Sequence, residues 1–298
     1  MAMLAAVGLV AVLAVAGQSR AEAIINGDRI DSVPATHPIL YIESDGQVGC
    51  TATLIAPQVV LTAGHCVQLG SSVAVVVGDA FVDSRSNVAA HAVAIARASD
   101  GTPGVNDLAL VLLDRVVLAE VMPLAETNES WPYAPRPVQL AGFGLNERQG
   151  LWSSARSLVT ATSQFNTRFV VDSPDWFWLN SICLDQPDAI GMYCLQGVWT
   201  EMNDGANPAR LVSLVPMICF GDSGGPAIDL AGRQFAVASA VSINPVLEAF
   251  AGPQPQQCHH NWSLYAPLNR PWIDATLAGW GVDLACFPQW QDAVRGCN

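Results

Sequence analysis

The sequence predicts an all-β fold, and three observations point that way. From Ile24 onward, short apolar runs alternate with Gly, Pro, Asn and Asp. Few of these runs carry the three-to-four-residue spacing of an amphipathic helix. Apolar residues make up 51% of the 298 positions and charged residues only 13%, so material for a core is ample. Many short strands broken by turn residues argue for a barrel or a sandwich.

Taken in order, strands are expected at Thr51–Ile55, Val59–Thr62, Val73–Val77, Val88–Ala96, Leu108–Leu113, Val138–Gly142, Leu158–Thr162 and Phe235–Ile243. Ala56-Pro57-Gln58 lies between the first two and predicts a hairpin turn, because proline presets its own φ. Asn128 to Pro137 contains Pro132, Pro135 and Pro137, the composition of a linker between two halves. Pro271 to Leu277 places proline at a first helical position, with apolar residues three to four apart, and predicts one short helix.

Met3 to Ala16 is a nearly unbroken run of Ala, Val and Leu. It is shorter than the roughly 20 residues that span a bilayer. It reads as the apolar region of a secretory signal, although no Lys or Arg precedes it. A secreted protein, extracellular or periplasmic, is expected, with no stable membrane association once the signal is cut. The eight cysteines fit an oxidising compartment. None are spaced as C-x-x-C and His259–His260 is an isolated doublet, so neither a metal site nor a cofactor is expected. All 13 basic residues are Arg; against 26 acidic ones the net charge is −13. Such a surface repels phosphate backbones, which argues against a nucleic-acid partner.

Three segments carry chemistry. Thr62-Ala63-Gly64-His65-Cys66 comes first, Asn106-Asp107-Leu108-Ala109-Leu110 follows, and Gly221-Asp222-Ser223-Gly224-Gly225-Pro226 comes last, behind Cys219. A serine hydroxyl is a weak nucleophile until a base within hydrogen-bond reach takes its proton. An imidazole suits the task because its pKa lies near working pH. A carboxylate on the far ring nitrogen fixes the tautomer. The glycines beside Ser223 let the backbone approach a substrate closely, and the N–H groups of Gly221 and Ser223 can converge on an oxyanion.

In this order the three segments resemble the trypsin/chymotrypsin family of serine endopeptidases. The likeness runs from Ile24 to about Thr276, with Gly64 standing where the family usually has Ala. The resemblance implies two packed antiparallel β-barrels and a short C-terminal helix. It divides the chain into a signal at 1–23, a first barrel at about 24–127, a second at about 138–280 and an extension at 281–298. It implies a monomeric serine endopeptidase with a peptide or protein substrate. His65 is then the base, Asp107 its orienting carboxylate, Ser223 the nucleophile, and Gly221 and Ser223 the oxyanion donors. Ile24-Ile25-Asn26-Gly27 resembles the mature start of these enzymes, whose new α-amino group pairs with the carboxylate before the serine, here Asp222. Ala21-Glu22-Ala23 matches a small-x-small cleavage site that would release Ile24 directly.

The same resemblance selects the disulfides Cys50–Cys66, Cys183–Cys194 and Cys219–Cys258. Cys286 and Cys297 are left over and are paired as a C-terminal clasp without family support. It makes Met217 the floor of the side-chain pocket, six positions before the serine, with no charge to attract Arg or Lys. Ser239 lines that pocket, with Ser242 competing for the role, and Val241 narrows it. Small or medium apolar side chains are therefore the expected specificity. Leu195 to Pro216 is an insertion, read as a surface feature in preference to a substrate loop. One alternative is a non-enzymatic homologue acting as a binding module. Another is an esterase of the same mechanism, although the α/β esterases carry G-x-S-x-G and place His last.

Overall fold

In the computed structural model, the described residues are 24, 27–30, 32–45, 47–78, 87–103, 106–126, 136–144, 158–165, 193–196, 199–202, 210–213, 217–243 and 261–284. The leader, most of the linker region and the C-terminal clasp lie outside them. Six strands close into a barrel: β2 (Ile39–Ser44), β3 (Gln47–Ala56), β4 (Val59–Thr62), β5 (Val73–Val76), β6 (Val88–Arg97) and β7 (Ala109–Leu113). Their order is β2-β3-β4-β7-β6-β5, and β5 pairs back onto β2 to complete the ring. Every residue of β4 is buried, because it is held between β3 and β7 with its side chains covered. That burial explains why Val-Val-Leu-Thr reads as a continuous apolar run and not as an alternation. Pro57 and Gln58 turn the chain between β3 and β4 as expected.

The second unit is a seven-stranded sheet. Its strands are β1 (Asp28–Arg29), β8 (Arg136–Gly142), β9 (Val159–Phe165), β10 (Tyr193–Gln196), β13 (Pro226–Ile228), β14 (Gln234–Ile243) and β15 (Asn261–Pro267). They run β1-β9-β8-β13-β14-β15-β10 and do not close into a ring among the described residues. This sheet is the second β domain that the resemblance implies. Within the 195–216 insertion, β11 (Trp199–Met202) and β12 (Arg210–Ser213) form a separate antiparallel ribbon.

Two boundaries differ from expectation. Pro137 belongs to β8 and not to a linker; it sits next to the strand's start, where a missing N–H costs least. Asp28 and Arg29 pair with β9, and Ile24 is buried in the second core, so the start of the chain serves the second unit and not the first barrel. Helix α1 (Arg270–Gly279) has Asn269 as its N-cap, whose side chain accepts from Trp272 N, and a proline in its first turn. It returns Ile273 and Leu277 to the core of the first barrel.

The two units meet at Gly224. Its φ is +87°, and its N–H donates to Ala238 O at 2.7 Å. A Cβ built there would fall on the Thr51 carbonyl oxygen and the Thr62 hydroxyl of the barrel. Gly224→Ala should therefore cost about 2 kcal/mol or more, from left-handed strain and steric conflict together. A urea-unfolding midpoint within error of the wild type would contradict this reading of the junction.

Candidate functional site

His65 lies in a single 3₁₀ turn, Gly64–Cys66, stapled to β3 by the Cys50–Cys66 disulfide. Its backbone N–H donates to Asp107 Oδ1 at 2.8 Å, and its Nδ1 lies 2.7 Å from Asp107 Oδ2. An ionised carboxylate only accepts, so Nδ1 carries the proton and Nε2 the lone pair. Asp107 is fully buried at the entrance to β7, just after Asn106, whose φ is +58°. A third donor, the Ser239 hydroxyl on β14, reaches Oδ2 at 2.6 Å.

Ser223 is partly buried in the turn between Cys219 and β13. Thr51 holds this turn from the barrel side. Its N–H donates to Ser223 O at 2.8 Å, and its hydroxyl donates to Gly221 O at 3.0 Å and accepts from Phe143 N at 2.9 Å. Among the described residues, no hydrogen bond joins His65 Nε2 to the Ser223 hydroxyl. The contact made by Nε2 is with Cys66 Sγ, at 3.8 Å. The Asp107–His65 limb is assembled; the His65–Ser223 limb is open.

Asp222 is completely buried. Its Oδ1 accepts from Gly144 N and its Oδ2 from Cys219 N, both at 2.8 Å. A Cβ at position 144 would lie 2.6 Å from the carboxylate carbon, so only glycine leaves room for the group. Ile24 is likewise fully buried, in one cluster with Met217, Ile218 and Cys219. Burial pushes the Asp222 carboxyl up to about 8, against the opposing pull of its two backbone donors.

The structure places the three residues expected to form a specificity pocket as follows. Met217 is fully buried in that same cluster and accepts a contact from the Ser263 hydroxyl at 3.8 Å. Val241 packs against the cluster, and the Ser239 hydroxyl is turned to Asp107. Cys219 is disulfide-bonded; its expected partner Cys258, with Cys183, Cys286 and Cys297, lies outside the described residues, and only the backbone of Cys194 is described, in β10. Sequence reasoning missed Thr51 and Thr62, whose hydroxyl donates to Thr51 O at 2.8 Å. Buried threonine in a strand is common, and nothing in the local pattern separates these two from packing residues.

A family model described as Trypsin matches residues 25–188. The match takes in His65 and Asp107 and ends before Ser223. No curated protein matches the sequence. Among solved structures, an atomic-resolution structure of HBP matches at 23% identity, covering 86% of this chain and 97% of that chain, with a TM-score of 0.56. A structure titled human heparin binding protein matches at 21%, with the same coverage and a TM-score of 0.55. A mutant of human heparin binding protein matches at 23%, again with that coverage, with a TM-score of 0.57. At this identity the likeness carries the fold. It also corrects the sequence reading, which took a serine endopeptidase and a peptide or protein substrate from the motif order. Structures that share this fold are titled for heparin binding, so the architecture does not bring hydrolysis with it, and that assignment is withdrawn.

Asp222 provides a test by pH. In the unfolded chain its carboxyl ionises near the ordinary 3.8, and in the folded chain only near 8. Between those values the unfolded state has lost a proton that the folded state keeps, so stability falls as pH rises through the window. With Ile24 still joined to its leader, the urea midpoint should drop from pH 5 to pH 8, and Asp222→Asn should flatten that drop. An equal drop in both proteins would refute the assignment.

Proposed function

The chain belongs to the trypsin family, and we propose that it serves there as a secreted, non-catalytic binding module. The observation that carries this reading is the open His65–Ser223 limb. A hydroxyl that donates to no base stays protonated and is a poor nucleophile. Among the described residues the contact of Nε2 is with Cys66 Sγ of the disulfide, at 3.8 Å. The similarity to solved structures of heparin binding protein supports the same reading.

The site residues keep a place in this proposal. His65, Ser223 and Gly221 lie where the barrel and the second sheet meet, and would form part of a recognition surface. Asp107 and Ser239 hold that surface together from beneath. Release of Ile24 would put an ammonium group in the buried cluster next to Asp222, where it would neutralise the carboxylate and stabilise the second unit. The Cys50–Cys66 disulfide agrees with the oxidising compartment to which the leader directs the chain.

A fluorophosphonate probe reports directly on Ser223. We expect no labelling at Ser223 and no digestion of casein by the secreted protein. Labelling that His65→Ala abolishes would overturn the proposal.

Heparin, named for the similar proteins, is the first ligand to test. It is a polyanion, and a chain with a net charge of −13 repels it. We expect the protein to pass a heparin column without retention at about 0.15 M salt, where screening acts over roughly 8 Å. Retention released by added salt would instead place a local Arg patch above the net charge.

A further inference from the structure

A guanidinium without an ion-pair partner stands beside the turn that carries His65. Arg97 ends β6, where it faces Ala109 of β7 in register. It is half-buried, and its Nε is withdrawn from water with no hydrogen-bond partner. Nε is the one nitrogen of the group in that condition, so the two Nη atoms form the outward end of the side chain. The ion pairs among the described residues are His65–Asp107, Arg115–Asp114, Arg233–Asp229 and Arg270–Asp274, and none includes Arg97. With 26 acidic residues against 13 arginines, a shortage of carboxylates does not account for this.

The loop after β6 is shaped around the group and leaves its charge uncompensated. Gly101 has a φ of +89°. A Cβ there would collide with Arg97 Nη1 and would lie 3.3 Å from the Gly64 carbonyl oxygen. The guanidinium therefore rests against the loop, next to the 3₁₀ turn Gly64–Cys66. Asp100 is the nearest acid along the chain, yet its Oδ1 accepts from Thr102 N at 2.8 Å. The N–H and the hydroxyl of Thr102 hold that carboxyl below the usual range, and Arg97 adds a smaller attraction. We infer that Arg97 is the anion-recognising residue of the surface around His65, and that it selects a peptide segment carrying an Asp or Glu. The inference rests on the recognition surface proposed above and names the chemistry of its ligand.

The shape of the group favours a carboxylate. A planar guanidinium presents two parallel N–H groups at its Nη end, matched to the two oxygens of one carboxylate. Partial burial strengthens such a pair over a fully exposed one, because less water screens it. A long polyanion meets the whole net charge of −13, whereas a single acid on a neutral segment meets chiefly the charges within roughly 8 Å at about 0.15 M salt. A peptide with one acidic side chain therefore fits Arg97 better than a sulfated polysaccharide does.

The test uses the full secreted chain and fluorescent, N-acetylated and C-amidated hexapeptide pools. In each pool one position holds Glu or Gln, and the others hold an equimolar mixture of neutral residues. Binding is read by fluorescence polarisation at about 0.15 M salt. At one position the Glu pool should bind about tenfold or more tighter than the Gln pool. Arg97→Gln should bring the two pools level, with binding of the Gln pool and the far-ultraviolet circular dichroism unchanged. Gly101→Ala, which drives a methyl group into Nη1, should lower the preference while the charge is still present. Equal binding of Glu and Gln at every position overturns the inference, and so does the absence of binding by any pool. A preference that survives Arg97→Gln overturns it as well. A shift of the Arg97 Nε–H resonance with sodium sulfate, without a Glu preference among the peptides, would mark a free-anion site and overturn the peptide assignment. Fluorophosphonate labelling of Ser223 speaks against the non-catalytic reading, whereas a missing Glu preference in a chain that does not label speaks against Arg97 alone.

Discussion

The buried carboxylate of Asp107 is the constraint on which the rest of the arrangement depends. A carboxylate removed from water without compensation costs several kcal/mol, so it must be surrounded by donors. Asp107 meets the requirement with three: the His65 N–H, the His65 ring and the Ser239 hydroxyl. These come from the 3₁₀ turn and from β14 of the other unit. The charge therefore orients the imidazole and, with the same two oxygens, holds the barrel against the second sheet. Thr51 extends this junction through the Ser223 and Gly221 carbonyls. Packing alone would let two such units slide; directional bonds to one buried charge set their relative position.

Asp222 shows the same physics with a different outcome. It too is fully buried, but its described hydrogen bonds are two backbone N–H groups, and no cation stands beside it among the described residues. Burial then outweighs the donors and favours the neutral acid. The glycine at 144 leaves no side chain to shield the group or to pair with it. Asp107 binds the two units together, whereas the described hydrogen bonds of Asp222 stay within the second.

Much of the first barrel was legible because its strands are apolar runs with turn chemistry between them, as at Pro57. The helix was legible from Asn269 and Pro271, which mark a start on chemistry alone. β2 was overlooked although its residues are apolar, since Ile39 to Ile42 gives no alternation when both faces are covered. The ends of the units were misplaced for a tertiary reason: nothing near Asp28 announces a partner as distant as Thr160. The motif blocks supplied the right residue types for hydrolysis, but whether a hydroxyl and an imidazole bond to each other is a matter of ångströms and rotamers. The sequence does not carry that information.

His65 is held from two sides by one carboxylate. Its backbone N–H donates to Asp107 Oδ1 and its Nδ1 lies 2.7 Å from Oδ2 of the same group. The disulfide fixes the turn that carries the ring, with Nε2 3.8 Å from Cys66 Sγ. A ring tied at its backbone, at one nitrogen and through its neighbour has its position set by the fold before any ligand arrives, which is the preorganisation that a recognition or reaction site on this corner would use.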